Sequence, residues 1–322
     1  MTQKPQITVA VVCLNEEKNI GPCLESLLHQ TFPLKNYEIL VVDNGSTDDT
    51  LKVVKKFKAK SPNLRWVENS KIGIAASRNV AVKESRGELL ALTDADCRTP
   101  RQWLKKLISG FDKYHRLDPL VVAVGGANRP PQTTTFNQSL SLILNTFLGS
   151  RGSVQARRYL HDRYVPHLPC VNVLFLKQKI KAVNGFDETF GSIIEDEDLT
   201  YRLSQKGYHF VYLAHTAVAH KTARNFSHWA KKMFVYGKGR IWFLKKYPEK
   251  WHLFFALPIV FVLTWPLSLW PYLIAIFFYS LGVVLKAQKT HLLPQIMLLF
   301  LATHFAYGVG EIYGFIVKRP KE

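Results

Sequence analysis

The sequence predicts an α/β fold: helices flank a mostly parallel sheet, and membrane helices follow near the C-terminus. In about the first 125 residues, strand-like and helix-like segments alternate. Such repeats build a parallel sheet with right-handed crossovers. The early strand-like segments are continuous β-branched runs, which is typical of strands covered on both faces. Two long apolar runs follow after residue 250.

The elements can be assigned in order along the chain. The predicted strands cover residues 7–14, 37–44, 64–69, 87–94 and 119–126, and helices are predicted through residue 29, over 47–60 and 72–85, and from Thr99. Thr99 and Pro100 suit the N-cap and the first turn of a helix. Residues 126–170 are expected to be irregular around an acceptor groove. Strands are predicted again at 170–178 and, as a single strand, at 209–220.

Composition narrows the possible partners. The formal net charge of +19 over 322 residues implies an anionic partner, which can be nucleic acid, lipid head groups or a phosphorylated small molecule. The four cysteines are far apart and lack a CxxC pair, which argues against a disulfide framework or a zinc site. The polar start "MTQKPQ" has no apolar leader, so we expect a cytosolic domain with reduced thiols.

Two apolar runs are long enough for membrane segments. Residues 253–285 contain no Asp, Glu, Lys or Arg, and residues 292–317 contain only Glu311. A helix needs about 20 apolar residues to cross a bilayer. We expect two crossings with the basic tail 318–322 inside. A fold-back at Trp265-Pro266 or Trp270-Pro271, which gives a third segment, is the alternative.

A basic and aromatic segment precedes these runs. Residues 221–250 carry nine Lys or Arg against the single acid Glu249, interleaved with seven Phe, Trp or Tyr. In an interfacial helix, basic side chains contact anionic lipid, and aromatic rings lie at the depth of the lipid head groups. The segment 221–250 has the composition of such a helix. Nucleic-acid binding uses the same residue types, but the adjacent apolar run favours membrane lipids as the partner. No nucleic-acid partner is predicted.

Polar residues follow the ends of several predicted strands. Asn15, Asp43, Asn44 and the pair Asp94 and Asp96 share this position, and ligands of parallel sheets bind beyond the carboxyl ends of strands. Asp94 and Asp96 point to the same side, where two like charges repel unless a cation lies between them. Oxygen ligands suit Mg²⁺ or Mn²⁺. A polar turn closed by Pro100 is the alternative.

A second acidic cluster, Glu195 to Asp198, precedes the amphipathic stretch "LTYRLSQKGY". These acids could simply charge a helix N-terminus. An acid poised by a helix end and a like charge can instead act as a general base. The pair Asp94 and Asp96 would hold a cation on the leaving diphosphate, and the second cluster would supply a base for the nucleophilic hydroxyl. Sugar transfer from a nucleotide sugar requires both functions.

Six segments together resemble glycosyltransferase family 2, whose members have the Rossmann-like GT-A fold. They are "VVCLNEEKNI", "VVDNGSTDDT", "GIAASRN", "LTDAD", "NGFDE" and "EDEDLTYRL", in the family's order and spacing over about residues 5–245. The basic "VYGKGRIW" and the following apolar segments resemble membrane-attached members that build polysaccharides or glycolipids, including succinoglycan enzymes. The resemblance implies an inverting glycosyltransferase with a nucleotide-sugar donor, expected to be a UDP-sugar, and a lipid-linked or glycan acceptor.

The resemblance also implies roles for individual residues. Asn15, Glu16 and Asp43 would lie around the base and ribose of the nucleotide, and Arg78 would lie near its phosphates. Asp96 would bind the metal, and Asp94 would lie nearer the ribose and is also a candidate metal ligand. Asp196 would be the catalytic base, with Glu195 or Glu197 as alternatives. His220, or its rival His215, would lie on the metal or diphosphate, and Arg240 would pair with the diphosphate.

One family element is missing, since the chain reads "YGKGRIW" where Gln-x-x-Arg-Trp accompanies chain-extending synthases. Transfer of a single sugar is therefore favoured. The expected organisation is a catalytic domain over 1–225 at the cytosolic face of the inner membrane, an interfacial region over 226–252 and membrane segments over 253–317. The competing hypotheses are a metal-dependent nucleotidyltransferase or phosphohydrolase, and a membrane-attached binding subunit without activity.

Overall fold

The chain divides into two compact units in the computed structural model, which describes residues 5–71, 73–151, 153–155, 157–265 and 267–319. The first unit comprises residues 1–129 and 158–220, and the second comprises 130–157 and 221–322. The segment 130–157, which the sequence analysis included in the catalytic domain, packs with the C-terminal helices.

Strands and helices alternate over most of the first 125 residues, and helices predominate after residue 225. The strands are β1 (Ile7–Cys13), β2 (Tyr37–Asp43), β3 (Leu64–Glu68), β4 (Leu89–Asp94), β5 (Cys97–Arg98), β6 (Val121–Gly125), β7 (Asn128–Arg129), β8 (Arg163–Val165), β9 (Val173–Leu176), β10 (His209–Tyr212) and β11 (Val218–His220). The helices are α1 (Ile20–Leu28), α2 (Thr50–Lys60), α3 (Ile74–Glu84), α4 (Trp103–Leu117), α5 (Thr135–Leu144), α6 (Phe147–Ser150), α7 (Lys177–Lys181), α8 (Glu195–Ser204), α9 (Phe226–Lys246), α10 (Leu257–Leu263), α11 (Leu269–Ala287) and α12 (Leu293–Ile316).

The first unit is built on an eight-stranded sheet in the order β3-β2-β1-β4-β9-β6-β10-β8. Strands β1 to β4 are parallel, β6 and β10 are parallel to each other, and β8 and β9 run antiparallel to their neighbours. β1 is almost wholly buried and β2 is wholly buried, as their β-branched runs predict. The predicted α/β fold with a mostly parallel, helix-flanked sheet is therefore confirmed.

A small second sheet differs from the prediction. The stretch 209–220, expected to be one strand, forms β10 in the large sheet and β11 in a three-stranded sheet ordered β5-β11-β7. A turn separates the two strands, and in it Thr216 Oγ1 donates a hydrogen bond to Leu213 O at 3.0 Å. In the register of β5 and β11, His220 lies opposite Cys97. The short sheet thus brings His220 to the loop that carries Asp96.

The second unit is helical. The apolar run 253–285 is divided into a one-turn helix (Leu253–Ala256), α10 and α11, with the break next to Trp265, one of the two positions considered from sequence. Pro266 lies outside the described residues. Within the described chain, Leu269–Ala287 and Thr290–Ile316 are long and apolar enough to cross a membrane. Helix α12 packs along α9 and against α5, α10 and α11, around a core that includes Leu140, Trp229, Leu299 and Phe300.

Candidate active site

Polar side chains collect beyond the carboxyl ends of three parallel strands of the first unit. β1 ends at Cys13, which pairs with Asp43 at the end of β2, and β4 ends at Asp94, which pairs with Val12. Since these strands are parallel neighbours, Asn15, Asp43 and Asp94 share one edge of the sheet. This edge is where the sequence placed the donor site.

The loops after β1 and β2 are tied together by their side chains. Asp43 is 1% exposed, and its carboxylate accepts hydrogen bonds from the backbone N–H of Ser46 at 2.9 Å and from Ser46 Oγ at 2.6 Å. Asn15 has φ of 54°, and its Oδ1 accepts from Thr47 N at 2.8 Å. The Glu16 carboxylate accepts from Asn19 Nδ2 at 2.6 Å. These hydrogen bonds hold the loops after β1 and β2 in place. The side-chain oxygen atoms of Asn15, Glu16 and Asp43 are acceptors that suit the N–H and hydroxyl groups of a base and ribose.

Arg78 joins the two acidic clusters. This arginine of α3 is 3% exposed, forms an ion pair with Glu195 at the start of α8, and donates from Nη2 to Asp94 Oδ1 at 3.4 Å. The guanidinium therefore connects the end of β4 with the beginning of α8, and its pair with Glu195 spans 117 residues of sequence. Its predicted contact with phosphates stays a prediction, because the ion-pair partners that the structure describes for it are carboxylates.

The four acids at the start of α8 have different surroundings. Glu195 is 5% exposed, and burial raises its pKa to about 7 while the guanidinium of Arg78 limits the rise. Asp198 is fully buried and accepts from Arg202 Nε at 2.8 Å, one turn further along the helix. Asp196 and Glu197 are only partly buried. Two of the four acids thus have structural ion pairs, and two are accessible.

Asp196 faces a histidine that the sequence analysis did not single out. Its Oδ2 lies 3.9 Å from His167 Nε2 and 3.4 Å from the backbone nitrogen of Cys170. The other ring nitrogen of His167 lies 2.9 Å from Thr200 Oγ1 on α8. His167 stands in the segment expected to be irregular, and no local pattern marks it. Asp196 is therefore a partly accessible carboxylate held by neighbouring groups, as a base requires.

Asp96 and His220 form the candidate metal site. The Asp96 Oδ1 and His220 Nε2 atoms are 3.4 Å apart, and with Cys97 Sγ they form a group whose candidate ligand atoms all lie within 4.8 Å. Burial raises the pKa of the Cys97 thiol well above its usual value, and a neutral thiol is a poor ligand for a hard cation. Asp94, also predicted as a ligand, is not in this group and contacts Arg78.

The chemistry around His220 fits a cation. Asn128 Nδ2 lies 3.2 Å from His220 Nδ1, while Asn128 Oδ1 is buried with no hydrogen-bond partner among the described residues. With its amide rotated by 180°, Asn128 would accept from Nδ1–H, which leaves the Nε2 lone pair towards Asp96. A carboxylate oxygen and an imidazole nitrogen suit Mn²⁺, and the carboxylate also suits Mg²⁺.

Two further predicted residues lie elsewhere. His215, the rival of His220, is exposed in the turn between β10 and β11, and its backbone oxygen accepts from Lys106 Nζ at 3.2 Å. Arg240 belongs to the second unit, where its Nε lies 3.4 Å from Tyr307 Oη. Its contact with the donor diphosphate stays a prediction.

The sequence of this chain is similar to those of known glycosyltransferases. The profile of the family described as "Glycosyl transferase family 2" matches residues 8–181. Glycosyltransferase AglE of Haloferax volcanii is 30% identical over 75% of this chain and 76% of its own length. Succinoglycan biosynthesis protein ExoA of Rhizobium meliloti is 27% identical over 72% of this chain and 68% of its own length.

A solved structure supports the same fold. A mannosyltransferase, PcManGT from Pyrobaculum calidifontis, determined in complex with GDP-Man and Mn²⁺, superimposes with a TM-score of 0.62 at 18% identity. The match covers 94% of this chain and 88% of that chain. The GT-A fold expected from the sequence is therefore confirmed. Together with the profile match and the similarity to AglE, it shows that the chain belongs to glycosyltransferase family 2.

Proposed function

We propose that this protein is an inverting glycosyltransferase that moves one sugar from a nucleotide-diphosphate sugar to a lipid-linked or polysaccharide acceptor. The expected donor is a UDP-sugar, and the catalytic unit would face the cytosol at the inner membrane. The observation that carries the proposal is the convergence on Arg78 of Asp94, at the end of β4, and Glu195, at the start of α8. Asp94 stands two residues before the proposed metal ligand Asp96, and Glu195 directly precedes the proposed base Asp196.

On the donor side, Asn15, Glu16 and Asp43 would bind the base and ribose. Their oxygen atoms line the loops after β1 and β2 and can accept from a ring N–H and from hydroxyl groups. Asp94 would lie near the ribose, oriented by Arg78. The structure of PcManGT contains GDP-Man, which supports a nucleotide-sugar donor.

Asp96 and His220 would hold Mg²⁺ or Mn²⁺, a cofactor that the Mn²⁺ in the PcManGT complex also supports. When bound, such a cation neutralises negative charge on a leaving diphosphate. The protein's own contribution is to orient the two ligands, since Asp96 follows β4 directly and β11 fixes His220 beside it.

Asp196 would act as the base. Its carboxylate would accept the proton of the acceptor hydroxyl while that oxygen bonds to the anomeric carbon and the bond from this carbon to the diphosphate oxygen breaks. Attack from the opposite side inverts the configuration. Glu195 is less suited to this role because it is buried and paired with Arg78.

The second unit would attach the enzyme to membrane lipids. Several large apolar side chains on α10 and α11 are exposed, among them Leu263, Trp270 and Phe278. Exposed apolar side chains on helices that follow the basic helix α9 in the chain are typical of lipid contact. The name of ExoA, a succinoglycan biosynthesis protein, supports a polysaccharide acceptor.

A donor screen tests the proposal. Membranes containing the protein are supplied with Mg²⁺ or Mn²⁺ and with labelled UDP- and GDP-sugars, and released nucleoside diphosphate and label in the lipid fraction are measured. We expect one donor to give both products, and Asp96→Ala and Asp196→Asn to abolish them. Release of pyrophosphate or phosphate instead would favour the nucleotidyltransferase or phosphohydrolase alternative. Transfer at the wild-type rate in both variants would refute the assigned roles.

A further inference from the structure

His167 lies in a segment whose backbone is restricted by two prolines. The chain reads "PHLPC" over residues 166–170, and Leu168 and Cys170 are fully buried. Each proline fixes its own φ and restricts the residue before it. The ring of His167 therefore has a defined position, in which both of its nitrogens face α8.

Thr200 decides which nitrogen of that ring carries the proton. The Oγ1 atom of this buried threonine lies 2.9 Å from Asp196 O and 3.1 Å from Glu197 O, so its single hydroxyl proton is donated to the carbonyls of its own helix. The contact of Oγ1 with His167 Nδ1 at 2.9 Å then needs a proton from the ring. Nδ1 of His167 is therefore the donor, and Nε2 of the neutral ring is bare.

The bare nitrogen faces the proposed base. Nε2 of His167 lies 3.9 Å from Asp196 Oδ2, which is too far for a hydrogen bond. A lone pair and an ionised carboxylate repel each other, so this spacing is expected when neither atom has a proton. A histidine that served only to hold Asp196 would present an N–H to the carboxylate instead. The arrangement suits an acceptor for a proton that arrives on Asp196.

The two carboxylate oxygens of Asp196 differ in their contacts. Oδ1 accepts from the backbone N–H of Glu197 at 2.8 Å, whereas Oδ2 lies 3.4 Å from Cys170 N and faces His167. Oδ2 thus has the weaker hydrogen bond and a lone pair left for an acceptor hydroxyl. The side chains of His167 and Asp196 are 19% and 20% exposed, so a proton passed to His167 can leave to water.

The charges around the pair allow this transfer. Three further charged side chains belong to the surroundings of Asp196, namely Glu195, Glu197 and Arg78. Burial raises the pKa of the Cys170 thiol well above its usual value, so this neighbour is uncharged. An imidazole binds a proton more tightly than a carboxylate does in water, so a proton shared by Asp196 and His167 favours His167.

From this geometry we propose that His167 receives, from Asp196 Oδ2, the proton that Asp196 takes from the acceptor hydroxyl. The inference rests on the proposed function, in which Asp196 is the base. The acceptor O–H bond breaks as the proton moves to Oδ2, and the Oδ2–H bond breaks as the Nε2–H bond forms. The imidazolium later gives this proton to water, and Nδ1–H stays bonded to Thr200 throughout. Because His167 acts through Asp196 and touches no reacting atom of the substrates, it is a positioning residue.

His167→Asn separates the proton acceptor from the hydrogen bond to Thr200. The amide nitrogen of asparagine can replace Nδ1 as the donor, but nothing replaces Nε2. We expect nucleoside diphosphate release at saturating donor and acceptor to slow by about tenfold or more, while KM for either substrate changes by less than about threefold and the thermal midpoint is kept. His161→Gln, at an exposed histidine of the same segment, is the matched control and should behave as the wild type does.

A second variant distinguishes this role from a structural one. His167→Leu removes both the proton acceptor and the donor to Thr200, so we expect it to lose turnover and to lower the thermal midpoint. A wild-type rate in His167→Asn, with the loss confined to His167→Leu, would show that His167 only holds α8 and would overturn the proposal. Absence of sugar transfer by the wild type would instead contradict the proposed function.

The protonation of the ring is tested without turnover. In the full chain labelled with ¹⁵N-histidine, the ring nitrogen shifts of His167 are assigned by their loss in His167→Gln and are measured at about pH 8, where an ordinary histidine is neutral. We expect a proton on Nδ1 and a bare Nε2. A proton on Nε2 beside a bare Nδ1, or an imidazolium at that pH, would overturn the proposal, because neither form can take a proton from Asp196 at Nε2.

Discussion

The consecutive acids at the start of α8 differ in what they touch, although the sequence presents them as one cluster. Glu195 pairs with Arg78, Asp198 pairs with Arg202, and Asp196 faces His167. The charge run and helical spacing predicted an acidic helix start, but they could not assign the acids to partners. The partners of Glu195 and Asp196 come from α3 and from the segment before β9, and only the fold brings them to α8, whereas Arg202 lies one turn further along α8 itself.

This division predicts which acid supports catalysis. Asp196→Asn keeps the size of the side chain but removes the proton acceptor, so we expect turnover to fall by about 10²-fold or more. Glu197→Gln is the matched control on the same helical turn and should retain turnover within a few-fold. The measurement is the rate of nucleoside diphosphate release at saturating donor. A larger loss in Glu197→Gln than in Asp196→Asn would move the base to position 197.

Arg78 has a structural role that can be measured separately. Arg78→Met leaves Glu195 and Asp94 without their shared cation, and breaking a buried pair costs about 3–5 kcal/mol. We expect a lower thermal midpoint in Arg78→Met and partial recovery in Arg78→Met/Glu195→Gln, since the buried charge is then absent. A double variant no more stable than Arg78→Met would show that the pair is not coupled in the folded protein.

At the scale of elements, the sequence predicts the βα order of the first unit well. Strands β1, β2 and β4 begin and end within two residues of their predicted limits, because their buried runs are continuous. The split of 209–220 into β10 and β11 was missed, since apolar residues continue across the turn. The register that places His220 by Asp96 depends on that split and had no local signal.

Close packing of α9 and α12 depends on glycine. A Cβ at Gly310 would clash with Phe234 O, and a Cβ at Gly237 would clash with Tyr307 O, whereas nothing lies within 4 Å of a Cβ at Gly282 on α11. We expect Gly310→Ala and Gly237→Ala to lower the thermal midpoint, with overpacking costs of about 1–3 kcal/mol. Gly282→Ala should be neutral or stabilising, because alanine favours a helix. Equal midpoints in all three variants would contradict this close contact.

For the whole molecule, charge and apolar surface are concentrated in the second unit. Its excess of Lys and Arg predicts binding to vesicles of anionic lipid, and the exposed side chains of α10 and α11 predict that part of this binding is apolar. Sedimentation with vesicles at low salt and at about 1 M salt separates the electrostatic from the apolar contribution to binding, because about 1 M salt screens charges beyond about 3 Å. We expect weaker but persistent binding at high salt, and complete release would contradict an apolar attachment.

The most direct test of the account is titration of a nucleoside diphosphate into the protein with and without Mn²⁺, compared across wild type, Asp96→Ala and Asp196→Asn. If Asp96 binds the cation and Asp196 is the base, Asp96→Ala will lose the Mn²⁺-dependent gain in affinity for the nucleoside diphosphate. Asp196→Asn will keep that gain although its turnover falls by about 10²-fold or more. The same Mn²⁺-dependent affinity in Asp96→Ala as in the wild type would contradict the account.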